Sequence, residues 1–433
     1  MGGNLHPDVG LSEQSTMRER ISTLYLDANG VGARIVFVDT ILRGLFRYSN
    51  GDPAPKWLRR YNQVNLLFAE LRDANSRLSY VADWRDAFLQ SPWLNVELCN
   101  INNLLHLGRC LLEIRKYDLI VISHAAAGDD MELLKRIGHF LHRRRGKIVM
   151  FIGNEYDLLD DKLAFIRDVE PEYVCSQLPI SAARHLYREE TRCEIVEMPH
   201  ALNPASYRVI KGTERNKDIG FIGDLYWPFV GDRERTELIE WFERNGAGHG
   251  LQCDIRKVRV TREEWNAFLN TCKGVIGAES GTYYLNERGR LLERARKYNL
   301  FENPAASFDE VFDKFYRNQQ YEKSGKSISS RHFEPIGTKT CQLLIEGHYN
   351  GILQPDIHYI AIKRDLSNLP DAIARFRDES YRSRITKTAY DYVLSEHTYA
   401  HRVERLWRII TKARPNTRTG DCASAHVGRH ASN

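Results

Sequence analysis

Asp118-Leu119-Ile120-Val121-Ile122-Ser123 and Lys147-Ile148-Val149-Met150-Phe151-Ile152-Gly153 are apolar runs without polar alternation. Between them, residues 130–142 carry the spacing of an amphipathic helix. A strand that is apolar on both sides must be covered on both faces, which is the condition of a parallel sheet flanked by helices. Upstream, Arg34-Ile35-Val36-Phe37-Val38-Asp39 reads as another buried strand, 62–75 as a helix, 78–82 as a weak strand and 104–114 as a helix. Downstream, Tyr173-Val174-Cys175 and Glu194-Ile195-Val196 are short strands. Residues 31–206 are therefore predicted to form a doubly wound α/β domain.

After a linker at 207–218, polar from Lys211 onward, the pattern restarts. Ile219-Gly220-Phe221-Ile222-Gly223-Asp224 is a strand ending in a glycine turn, 233–245 and 261–269 are helical, and Gly274-Val275-Ile276-Gly277 is a strand. Residues 282–325 are charged and aromatic without clean periodicity and are expected to be an insertion of irregular helices. Residues 336–346 then read as a helix, Tyr359-Ile360-Ala361-Ile362 as a strand and 369–376 as a helix. The second α/β domain spans 219–390, and a closing helix spans 391–411. Residues 1–30 and 412–433 lack periodicity and are expected to be flexible.

The 433 residues hold 62 basic and 57 acidic side chains, a net charge of +5. Spread over that length, the charge is too dilute to argue for nucleic acid. The basic run His142-Arg143-Arg144-Arg145-Gly146-Lys147 reads as a cation-rich helix terminus completed by glycine, or as a contact for anionic lipid headgroups or a polyanionic acceptor. Residues 1–30 carry no apolar signal-peptide core and no run approaches the ~18–20 residues that span a bilayer, so the expected location is cytoplasmic, with peripheral membrane contact. The eight cysteines are scattered without a CxxC pair, which argues against structural zinc and a disulfide framework. No P-loop, HExxH or GxSxG motif is present, and no metal is expected.

Ligands of open α/β sheets bind beyond the carboxyl ends of the strands. Polar residues there include Asp39 and Thr40, His124, Glu155, His200, Gly223 and Tyr226. His124 reads as a general base or as a hydrogen-bonded loop histidine. Glu155 reads as a proton acceptor or as a first-turn carboxylate favoured by a helix dipole. Gly223 would let a phosphate approach the backbone, or simply make a tight turn.

Ser329-Ser330-Arg331-His332-Phe333-Glu334-Pro335-Ile336-Gly337-Thr338 carries more. Glu334 precedes a predicted helix whose first turn holds Ile336, Gly337 and Thr338, whose N–H groups would suit a diphosphate. Arg331 would pair with the phosphates, while Glu334 would accept ribose hydroxyl hydrogen bonds. A capped helix with a surface ion pair is the other reading.

This segment, with Arg331, Phe333, Glu334 and Gly337 in place, resembles the donor-binding end of GT-B glycosyltransferases of the group 1 type. The closer likeness is to the subgroup related to spore-maturation glycosyltransferases. His358-Tyr359-Ile360-Ala361-Ile362-Lys363-Arg364-Asp365 and Ser395-Glu396-His397-Thr398-Tyr399, with Arg402, continue the resemblance. It implies two Rossmann-like domains facing a cleft, with the last helix returning to the first domain. It also implies a metal-independent, retaining transfer from a nucleotide-sugar donor to a glycan, lipid-linked or protein acceptor, without a further cofactor. Glu334 would hold the ribose, Arg331 with residues 336–338 the diphosphate, and Gly223 and Tyr226 would line the donor pocket. The acceptor would lie near His124 and Glu155. A non-catalytic nucleotide-sugar-binding or glycan-binding subunit is the alternative on the same fold. Eight positions before Glu334, where the larger group carries a glutamate, stands Lys326.

Overall fold

The computed structural model describes residues 20–28, 78–128, 131–155, 158–188, 191–321 and 323–412. The first sheet contains β1 (Ile21–Asp27), β2 (Leu94–Asn100), β3 (Leu119–Ile122), β4 (Lys147–Phe151), β5 (Tyr173–Ser176) and β6 (Glu194–Glu197) in the order β2-β1-β3-β4-β5-β6, every pair parallel. Helices α1 (Ser79–Leu89), α2 (Leu104–Leu112), α3 (Glu132–Leu141), α4 (Leu159–Val169) and α5 (Ile180–Tyr187) lie among its connections. Strands β3 and β4 are buried along almost their whole length, as their unbroken apolar runs require.

The second sheet holds β7 (Lys217–Ile222), β8 (Cys253–Arg256), β9 (Cys272–Gly277), β10 (Cys341–Ile345) and β11 (Ile360–Ile362) in the order β11-β10-β9-β7-β8, again all parallel. Its helices are α6 (Glu234–Asn245), α7 (Arg262–Thr271), α8 (Arg290–Lys297), α9 (Phe308–Phe315), α10 (Ser330–Gly337), α11 (Leu369–Arg377) and α12 (Glu379–Glu396). The inserted α8 and α9 make their own small core of Phe229, Leu292, Val311 and Tyr316.

Three expectations are corrected. Ile21–Asp27, placed in the flexible N-terminal segment, is a strand beside both β2 and β3, because Leu24, Tyr25 and Leu26 are buried there. Residues 78–82 open α1 rather than forming a strand; Asp83, Trp84 and Phe88 are its buried residues, at helical spacing. The helix expected at 336–346 ends at Gly337. Pro335 has no N–H to continue the ladder, Lys339 turns into the left-handed region at φ 54°, and residues 341–345 pair with β9 and β11. The strand predicted at 34–39, the helix at 62–75, Asp39 and Thr40 lie outside the described residues.

The chain passes between the domains twice, and the two passages bond to each other. Leu202 N–H donates to the His397 carbonyl at 2.9 Å, and Tyr399 N–H donates to the Leu202 carbonyl at 3.0 Å. The last helix, α13 (Tyr399–Lys412), then packs on the first domain through Tyr399, Val403, Leu406 and Ile410. Buried Arg402 donates to the Pro199 carbonyl at 3.1 Å and the His200 carbonyl at 3.4 Å. Arg402→Leu strands these carbonyls and is expected to destabilise the protein by about 2 kcal/mol, read as a lower urea midpoint; an unchanged midpoint would show that the passages are held by packing alone.

Candidate functional site

In the second sheet the strand order reverses between β7 and β9, and a crevice opens at their carboxyl ends. Gly220, Phe221 and Ile222 line it from β7, and Val275, Ile276 and Gly277 from β9. Arg235 enters from the first turn of α6, Trp265 from α7, and Arg331 and His332 from α10.

Both arginines lie over aromatic faces, and Arg331 also pairs with Glu334. Arg235 lies 5.4 Å from the Phe221 ring and 4.9 Å from that of Tyr226, and makes no hydrogen bond or ion pair among the described residues. Gly223 leaves room for it, since a Cβ there would meet Arg235 Nη2 at 3.3 Å. Tyr226 is fixed at its other end, where its hydroxyl accepts from Gly281 N–H at 3.3 Å. Arg331 stacks 4.4 Å over Trp265, with its Nε 4.0 Å from Glu334 Oε2. Its Nη1 is buried without a hydrogen-bond partner among the described residues. An orphaned guanidinium nitrogen in a crevice is a place for an anion.

Glu334 is 1% exposed. Trp265 Nε1 donates to Oε2 at 2.7 Å, and Ser79 Oγ, from α1 of the first domain, donates to Oε1 at 2.6 Å. Facing it is Asp83, also on α1, whose Oδ1 accepts from Asn203 at 2.8 Å and from Arg262 at 3.0 Å. Burial first, and then the Glu334 charge, push the Asp83 carboxyl up to about 7. Its Oδ2 is buried without a partner among the described residues.

Residues 336–338 do not form the expected helix N-terminus. They end α10: Ile336 is core, Thr338 donates to the Pro335 carbonyl at 3.0 Å, and a Cβ on Gly337 would strike the Tyr207 carbonyl oxygen at 2.5 Å. Gly337 serves the close approach of the interdomain passage, and the cations of the crevice come from Arg235 and Arg331 instead.

His124 and Glu155 are not brought together. Glu155 is consumed inside the first domain, accepting from Ser176 Oγ at 2.6 Å, Gln177 N–H at 2.8 Å and the Tyr187 hydroxyl. Burial raises its carboxyl, and these donors oppose the rise. A carboxylate so occupied ties β4, β5 and α5 together rather than meeting a substrate. His124 lies among Trp84, Phe151, Tyr80 and His200, its ring centroid 5.4 Å from that of Trp84 and 5.5 Å from that of His200. Burial, then His200, hold it well below the ordinary histidine range, so it is neutral, and its Nε2 has no partner among the described residues.

Lys326 is 3% exposed and ion-paired with buried Asp232, and it donates to the Glu279 carbonyl at 3.2 Å. Glu234, 4.0 Å away, accepts from Tyr283 at 2.8 Å and lies 3.6 Å from Arg364. Among the described residues one group has metal-ligand spacing, Glu97, His106 and Cys110. Its carboxylate already meets Arg109 at 2.7 Å and Lys116 at 3.1 Å, and two cations at hand oppose a third.

The sequence reading missed Arg235, Asp83 and Trp265. Arg235 left a signal, a cation in the first turn of a helix directly after a strand and its glycine turn, where the dipole disfavours it without an anionic ligand. Asp83 left none, since a carboxylate in an amphipathic helix reads as surface.

Residues 237–408 match a family model described as glycosyl transferase-like. No curated protein sequence matches the chain. Among solved structures, an α-glucosyltransferase in complex with UDP superposes with TM-score 0.52 at 9% identity, over 90% of this chain and 100% of that one. An α-glucosyltransferase in complex with UDP-glucose and DNA containing an abasic site gives 0.52 at 9%, over 91% and 100%. HepE of Anabaena, in complex with UDP and glucose, gives 0.48 at 10%, over 91% and 100%. The architecture is that of a GT-B fold, two Rossmann-like domains with the C-terminal helix returned to the first.

The raised Asp83 carboxyl has a stability consequence. The folded form holds that proton more tightly than the ordinary Asp pKa of about 4 allows. Its contribution is therefore full below about pH 4 and lost as pH rises through about 7. Melting of wild type and Asp83→Asn across pH 5 to 8 is expected to show wild type losing ground steadily to the variant; parallel curves would mean that Asp83 is ionised throughout.

Proposed function

We propose that this chain is a nucleotide-sugar-dependent glycosyltransferase. The observation that carries the reading is the pair Arg235 and Arg331 converging on the switch-point crevice, Arg235 without an ion pair among the described residues and Arg331 with an unpartnered Nη1. Two guanidinium groups there suit a diphosphate, and the glycosyl transferase-like match over 237–408 includes Arg331 and Glu334 and begins two residues after Arg235. The finer likeness to the spore-maturation subgroup rests on the Arg331-His332-Phe333-Glu334 run.

Glu334 is the candidate ribose acceptor. Each carboxylate oxygen already takes one protein donor and keeps further lone-pair capacity, so a diol can be added or can replace Ser79. Catalysis in this reading is electrostatic: the arginines stabilise the diphosphate as the glycosidic bond breaks, with no metal required. His124, neutral and with a free Nε2, is suited to a sugar hydroxyl once the domains part. The acceptor class is a glycan, a lipid-linked saccharide or a protein, and a retaining outcome follows only from the family likeness.

Lys326 favours a second reading. Where the larger group carries a glutamate, this chain buries a lysine against Asp232, which suits a binding subunit that holds a nucleotide sugar without turnover. Release of free nucleotide on adding acceptor separates the two.

Thermal shift with a panel of nucleoside diphosphates and their sugars tests the proposal. One nucleotide class is expected to stabilise wild type by about 3 kcal/mol at a hundredfold excess over its Kd, and much less in Arg235→Ala and Arg331→Ala. No stabilisation at millimolar ligand, or undiminished stabilisation in both variants, would remove the reading.

A further inference from the structure

Helix α2, Leu104–Leu112, is apolar on nearly every side. Leu107, Cys110 and Leu111 are buried against the first domain's core. On the opposite side Leu105 is 90% exposed, Leu112 82% and Leu104 52%. At ~100° per residue these leucines and Gly108 share one arc of the helix. A Cβ on Gly108 would meet nothing within 4 Å, so the arc is open among the described residues. A surface helix ordinarily places polar residues there.

Cations border this stripe. Arg109 stands at its edge, and Arg115 and Lys116 follow directly. Arg115 Nε donates to the Arg143 carbonyl at 3.3 Å, which brings the basic run of residues 142–145 alongside. The neighbouring carboxylates Glu97 and Glu113 are taken up by Arg109 and Lys116, while Arg115, Arg143 and Arg145 are exposed. An apolar stripe flanked by unneutralised arginines is complementary to anionic headgroups over an acyl boundary.

We propose that α2 docks the first domain on an anionic lipid bilayer, Leu105 and Leu112 entering the interface and Arg115, Arg143 and Arg145 meeting the headgroups. The contact is peripheral; no helix among the described residues is long and apolar enough to cross a membrane. Leu104 and Leu105 follow the carboxyl end of β2 while Arg115, Arg143 and Arg145 precede β3 and β4, so the bilayer would lie along the side of the first domain that carries α2. The inference does not depend on the transferase reading.

Flotation of the full chain with vesicles of phosphatidylcholine alone, or mixed with phosphatidylglycerol, tests it. Wild type is expected to float with the anionic vesicles only, and less at high salt. The double variant Leu105→Glu/Leu112→Glu is expected to bind at least about tenfold more weakly with an unchanged melting point, since both side chains are exposed. Arg115→Ala/Arg143→Ala/Arg145→Ala should lose most of the anionic preference. No flotation with anionic vesicles, or equal flotation of the leucine variant, would overturn the proposal. So would a dimeric wild type that the leucine variant makes monomeric without vesicles, because the stripe would then be covered by a second copy.

Discussion

A carboxylate buried between two domains must be given partners, and much of this protein's interface follows from where Glu334 finds them. A desolvated carboxylate without donors is costly enough to take up a proton or expose itself. Glu334 draws the Trp265 indole from its own domain, the Ser79 hydroxyl from the other, and the Arg331 guanidinium one turn away. The first domain's α1 is thereby held against α10 and α7. Having brought α1 close, the interface places a second carboxylate, Asp83, in the field of the first. Arg262 answers by bridging Asp83 and Asp86, each at 3.0 Å. In the proposed reading, a ligand hydroxyl that replaced Ser79 at Glu334 would link occupancy of the crevice to contact between the domains.

The parallel sheets set where such a site can be. Their strand ends are the places where backbone and polar side chains leave the buried ladder, and β7 and β9 part because their connections leave towards opposite faces. The crevice floor is therefore backbone and small side chains, and its charge must come from the helices that follow. Arg235 comes from α6 and Arg331 from α10, each braced on an aromatic ring, and Arg331 keeps Nη1 unpartnered while its Nε faces Glu334. The paired passages at Leu202 and Thr398 hold the two sheets together at the side without filling the crevice.

How much of this could be read in advance depended on how local the cause was. The runs at 118–123, 147–153, 219–224 and 274–277 announced buried strands because burial on both faces leaves no polar alternation. Ile21–Asp27 is equally buried but opens Ile-Ser-Thr beneath a polar leader, so its apolar centre was too short to stand out. Glu334 was legible from its neighbours in sequence, yet its setting was not. Pro335 and Gly337 fit the start of a helix as well as its end, and only pairing of residues 341–345 into the sheet decides between them. Asp83, Trp265 and Ser79 meet Glu334 from far along the chain, and no local pattern reports such a meeting.

Among the described residues of the first domain, the groups beyond the strand ends are poorly suited to act as a base, unlike Asp83 on α1, whose carboxyl is raised to about 7. Glu155, placed beyond β4 as a proton acceptor would be, has both oxygens occupied by Ser176, Gln177 and Tyr187, and freeing one would leave a buried charge short of donors. Burial disfavours the imidazolium of both His124 and His200, reinforced by His200 at the first and by Arg402 at the second. A neutral imidazole can position a hydroxyl but is a poor place to store a proton. The second domain, by contrast, concentrates cations beside the crevice, with Lys326 already committed to Asp232. In the transferase reading proposed above, such a cleft would stabilise the departing anion, and the demanding electrostatics would fall on Arg235 and Arg331.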